Sequence, residues 1–163
     1  MSGALGAWRD GVAGQLREAG LNAVTAMDGA AVPRWREAVA AVSLSRVVCA
    51  SGGFQDYLGL RTGSDGEERE VYGREAELTL TLDIFAPRDR GGDACRRLAE
   101  AAAEVLICRG AAGLAALEVR TGPVEFLERE GMYRQEVTCR CGAWLTAVSV
   151  DGGGVFTDFV VKD

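Results

Sequence analysis

Apolar and polar residues alternate along Glu75–Asp89, EAELTLTLDIFAPRD, until Pro87 interrupts the run. Ala76, Leu78, Leu80, Leu82 and Ile84 fall on one side, and Glu75, Glu77, Thr79, Thr81 and Asp83 on the other. That two-residue period predicts a half-buried strand over 74–86. Its polar side could meet water, a catalytic site or another copy of the chain.

The same reading sets out the remaining elements. Leu5, Trp8, Val12, Leu16 and Ala19 recur at helical spacing over 4–19, and Gly20 is a natural stop. Gly6, Gly11 and Gly14 each weaken that helix by about 1 kcal/mol relative to Ala, so its stability must come from packing its apolar stripe. A short strand over 22–27 precedes a turn at Asp28-Gly29, and Pro33 breaks any continuation. A second strand over 37–50 puts Ala38, Ala40, Val42, Leu44 and Val48 on one side and ends at Gly52-Gly53. Two short extended pieces, 57–62 and 67–72, flank the turn GSDG. They carry many charges and few apolar residues, so 54–73 reads either as a projecting arm or as a surface loop. Asp89 or Asp93 can cap a helix over 93–108 whose apolar face is Cys95, Leu98, Ala99, Ala102, Val105 and Leu106. Gly110 ends it, and a short helical turn fills 111–116. Two strands, 117–127 and 132–149, follow around the turn EREG. Tyr133, Val137, Cys139, Cys141, Ala143, Leu145 and Ala147 share one face of the second. VFTDFVVK, after the flexible DGGG, reads as an add-on strand.

Strands joined by hairpins, with two helices set against them, predict an α+β fold. The expected sheet is mixed and mainly antiparallel, with both helices on one face and a projecting hairpin. The 163 residues fit one domain over 1–163. A chain of this size buries roughly 70% of its unfolded surface without a disulfide or metal staple. The start MSGALGAWRDG lacks the basic and apolar regions of a secretory signal, and no run is long enough to cross a bilayer.

Charge and chemistry narrow the functional classes. Net charge is −6 and no basic cluster appears, which disfavours gripping nucleic acid through its phosphates. The chain has no histidine, so Ser-His, Cys-His and histidine-ligated metal mechanisms are excluded within it. Five cysteines, an odd number, read as free thiols in a reducing compartment. Cys139 and Cys141 point the same way on a strand, but no CxxC pair accompanies them, and small buried residues outweigh a metal site. Asp83 and Asp89 could form a carboxylate pair for acid–base work, although Pro87 lies between them and no nucleophile is nearby. ASGGF and DGGGVF lack the strand–glycines–helix context of a phosphate loop. No cofactor is expected.

The order of these pieces resembles the tail-terminator (tail-completion) proteins of long-tailed phages and prophages. The likeness covers about residues 5–148. It lies in a leading amphipathic helix, the segment AVTAMDGAAVPRWREAVAAVSL and an inserted charged β arm. It continues through REAELTLTLDIFAPRD, the helix DACRRLAEAAAEVL and the hairpin VEFLEREGMYRQEVTCRCGAWLTA. Residues 151–163 have no counterpart in it. The resemblance implies a structural virion protein, not an enzyme, made in the host cytoplasm and placed at the head-proximal end of the tail. It implies a hexameric ring that caps the tail tube, ends its polymerisation and joins the head-side connector. DNA would pass through the lumen without specific binding, and no membrane is involved. The implied subunit-interface or lumen residues are Tyr57, Arg61, Asp65, Glu67, Arg69 and Tyr72 in the arm. Glu75, Glu77 and Asp83 on the polar face join them, with Arg88 and Asp89 just after it. Another head–tail connector or a minor tail component is the alternative, followed by a small enzyme using Asp83 or Asp89, or a domain with an apolar ligand pocket.

Overall fold

The alternating run around Leu80 forms the middle of a strand far longer than its pattern suggested. The computed structural model describes residues 3–25, 35–50, 57–150 and 153–161, with 147–150 and 153–161 described by backbone alone. The elements are α1 (Ala4–Glu18), β1 (Ala23–Thr25), β2 (Val39–Ala50), β3 (Tyr57–Thr62) and β4 (Glu68–Pro87). A 3-10 turn, Arg88–Arg90, leads into α2 (Gly91–Arg109), followed by β5 (Ala116–Leu127), β6 (Met132–Val150) and β7 (Gly153–Val161). The expected α+β class holds: two helices accompany one mostly antiparallel sheet, ordered β1-β2-β4-β6-β5, with β3 paired to β4 and β7 to β6. Only β1–β2 is parallel among these pairs.

β4 and β6 form the spine of the sheet. Their antiparallel register runs without a break from Val71↔Val148 to Pro87↔Met132. At ~3.3 Å per residue, the 20-residue β4 is roughly 65 Å long. β2 and β3 lie one after the other along the free edge of β4, and β5 and β7 do the same along β6.

Period-two alternation puts the even-numbered residues of β4 on the face shared with both helices. Leu78, Leu80, Leu82 and Ile84 are fully buried there, beside Val137, Cys139 and Cys141 of β6. Trp8, Val12, Ala13 and Leu16 of α1 and Cys95, Ala99, Ala102, Ala103 and Leu106 of α2 complete this core. The small residues of α2 let its backbone approach the sheet closely. Trp8 Nε1 donates to Ala111 O at 2.8 Å. Gln15 donates to Gly110 O at 3.0 Å and accepts from the Ala112 N–H at 2.7 Å. These bonds fasten α1 to the turn that follows α2. A second, small cluster of Val39, Ala41, Phe85 and Met132 sits on the opposite face, with Trp35 and Leu127 against it.

Four expectations change. The 67–72 and 74–86 strands are one element, and β6 pairs back to Val71, so the arm is an extension of the sheet and not a lone hairpin. Val48 does not share a face with Leu44. A bulge between Leu44 and Arg46 shifts the register, setting Val47 beside Leu78 and Val48 beside Glu77. Neither Asp89 nor Asp93 caps α2. Arg90 occupies the N-cap without a side-chain bond, because the 3-10 turn carries the chain directly into the helix. Finally, no helical turn fills 111–116. Ala111 and Leu114 exchange backbone hydrogen bonds of 2.8 and 3.2 Å around Ala112 and Gly113. Both of those residues have positive φ, the signature of a tight hairpin turn. The turn at Asp28-Gly29 and Pro33 lies outside the described residues.

Candidate functional site on the open face of the sheet

The polar side of β4 faces away from both helices and meets arginines from the strand next door. The register sets Asp83 opposite Glu136, Thr81 opposite Thr138, Thr79 opposite Arg140, and Glu75 opposite Trp144. Arg134 reaches diagonally to Asp83, its Nε and Nη2 donating to one oxygen at 2.9 and 2.6 Å. Its Nη2 also lies 3.3 Å from Glu136. Arg140 bridges Glu77 on one flank and Glu118 of β5 on the other, each at 3.4 Å, and Glu118 in turn pairs with Arg120. Ser43 and Ser45 of β2 donate to the carbonyls of Thr81 and Thr79 at 3.2 and 3.0 Å.

Alternating acids and bases across three strands therefore neutralise one another on a half-buried surface. Burial works against the charge of Arg134. The hydrogen bond and charge of Asp83, then the charges of Glu136 and Glu125, outweigh it and leave this guanidinium more basic than usual. Two donors from one guanidinium thus converge on a single Asp83 oxygen.

The sequence-predicted residues separate into three places. Glu75, Glu77 and Asp83 lie on this face. Tyr57, Arg61, Asp65, Glu67, Arg69 and Tyr72 sit at the far end of the sheet. There Gly63 and Glu67 close the turn through a 2.8 Å backbone bond, and Asp65 pairs with Arg69. The Tyr57 and Tyr72 rings meet edge-on with centroids 5.6 Å apart. Tyr72 donates to Glu70 at 2.5 Å, and this bond, with smaller contributions from desolvation and the Glu70 charge, raises the pKa of its phenol. Arg88 and Asp89 lie at the opposite end of β4. They line a shallow cleft of about 720 Å³ with Trp35, Pro87, Glu130, Gly131 and Met132. Arg88 stacks over Phe126 with 5.7 Å to the ring centre. Asp83 and Asp89 thus belong to different surroundings.

Sequence reasoning missed Arg134, Arg140, Glu118 and Glu136. Their signal was the polar alternation of 134, 136, 138 and 140 along β6, but which carboxylate each arginine meets depends on strand register. Cys139 and Cys141 are buried among the core side chains with sulfurs 3.7 Å apart. Contact with Cys139 and then burial push the Cys141 thiol up. Burial raises Cys95 to about 11. Among the described residues no group of three or more cysteine, aspartate and glutamate side chains is placed to hold a metal ion.

No protein-family model and no curated protein matches the chain.

Proposed function

We propose that this protein is a structural assembly subunit of the tail-terminator kind. In this reading it caps a phage tail tube as a homo-oligomeric ring, ends the polymerisation of the tube and offers a joining surface to the head-side connector. The observation that carries the reading is the open face of the sheet. Its carboxylates Asp83, Glu77, Glu118 and Glu136 are engaged by arginines of the same subunit, and it adjoins strand edges with exposed apolar side chains. Such a surface is suited to fitting against another protein surface and not to bond-making. The pattern resemblance over residues 5–148 supplies the particular assembly. A net charge of −6 suits a ring whose lumen DNA traverses without sticking.

The test is the state of the purified protein, read by mass photometry and negative-stain imaging, alone and with isolated tail tubes. Rings, free or seated on one end of the tubes, are expected. A protein that stays monomeric at high concentration and binds no tube end refutes the reading.

A further inference from the structure

We propose that copies of this chain join head to tail through their sheet edges, the β2/β3 edge of one copy against the β5 edge of the next. The inference rests on the assembly reading above and specifies its contact surface.

Exposed apolar side chains mark both edges. Val47 and Val48 on β2 and Tyr57, Leu58 and Leu60 on β3 follow one another along a single edge, and Leu60 is 60% exposed. Leu117, 59% exposed, and Phe126 lie on β5 at the other edge. Among the described residues only one further large apolar side chain, Ile107, is similarly exposed. The run of apolar side chains along the β2/β3 border points to a partner there, and Leu117 offers an apolar contact on the opposite border.

The backbone agrees. β1 covers β2 only at Ala40–Val42, and β3 pairs with β4 alone, so the outer hydrogen-bonding groups from Ser43 onward have no strand beside them among the described residues. Strand edges that remain in water usually carry proline or lysine as protection. β2 and β3 contain neither, and their protection is limited to one arginine and one bulge in each. β5 contains Pro123, which lacks an N–H, and a bulge between Thr121 and Val124. A second bulge lies between Ala116 and Glu118, so a ladder with β5 would run over 118–121, leaving Leu117 and Phe126 to make side-chain contact alone.

Charge selects the pairing. β2 and β3 carry Arg46 and Arg61 and no carboxylate, within a chain of net charge −6. β5 carries Glu118 and Glu125 against Arg120; Arg120 and Arg140 already engage Glu118, so the complementary charge rests on Glu125. Two β2/β3 edges facing each other would bring arginines together, whereas β5 presents the complementary sign. A contact between two different edges leaves one of each free on every dimer, so it repeats and forms a ring when the subunit rotation closes.

Two variants test this. Leu60→Glu blocks the β3 side and Leu117→Glu the β5 side, both at exposed positions, with circular dichroism to verify folding. Each variant alone should associate at least about tenfold more weakly than wild type by mass photometry. Mixed together they should form a one-to-one heterodimer that grows no further, since one good edge remains on each. Wild-type assembly by either variant alone, or a mixture that stays monomeric, overturns the edge pairing while leaving the assembly reading standing. A monomeric wild type that also binds no tube overturns both. Val48→Glu and Phe126→Glu, on the same two edges, replace the first pair if either variant misfolds.

Discussion

Removing the Asp83–Arg134 pair is the sharpest probe of the charge lattice. Two hydrogen bonds of 2.9 and 2.6 Å converge on one Asp83 oxygen, and the two side chains are 25% and 33% exposed. Fully exposed pairs contribute about 0.2–1 kcal/mol, whereas breaking a fully buried one costs about 3–5 kcal/mol. This pair lies between those limits and nearer the lower, because Arg134 keeps Glu136 at 3.3 Å when Asp83 is removed. Asp83→Ala and Arg134→Ala should each destabilise by about 1.5 kcal/mol, with a coupling of about 1 kcal/mol between them. Urea unfolding of the wild type, both single variants and the double variant, followed by tryptophan fluorescence, gives the coupling directly. Molar salt should lower the coupling without abolishing it, since the pair is only partly exposed. Strictly additive single effects would refute the argument and reduce the lattice to a set of solvated side chains.

Three further outcomes are expected. Gly110→Ala should cost about 2 kcal/mol in the same unfolding assay, because φ is +70° there and a Cβ would sit 2.5 Å from the Leu114 carbonyl. The Tyr72 phenolate should appear, by its ultraviolet absorbance, above the ordinary 10.0, and Glu70→Gln should bring it back. Since the folded pKa is the higher one, the small stabilisation from this bond is complete below the unfolded value and is lost as pH rises through the folded one. A thiol reagent should label exposed Cys49 and Cys108 quickly, and Cys95, Cys139 and Cys141 only as fast as the protein unfolds.

Much of the architecture was legible because it rests on local periodicity. The alternation of Leu78, Leu80, Leu82 and Ile84 identified the central strand, and the spacing of Trp8, Val12 and Leu16 identified α1. What stayed hidden depends on partners distant in sequence. Nothing local joins Glu68–Tyr72 to the strand after Gly73, because charged residues there are held extended by β3 on one side and by β6 from Val71 on the other. The bulge at Leu44/Arg46 leaves no mark in composition, yet it decides whether Val47 or Val48 faces the core side. The polar face of β4 was readable as polar, but its arginine partners were not, since Arg134 and Arg140 reach Asp83 and Glu77 only through one register of β6.

The long β4–β6 ladder also constrains how the chain is made. Its closest partners, Pro87 and Met132, are separated in sequence by all of α2 and β5. On the ribosome β4 emerges well before β6 exists to pair with it. Until then Leu78, Leu80 and Leu82 lack the Cys141, Cys139 and Val137 that stand beside them in the finished sheet. A nascent chain stalled before Met132 therefore displays a greasy strand with one edge unpaired, the kind of surface that holding chaperones bind and that otherwise clumps.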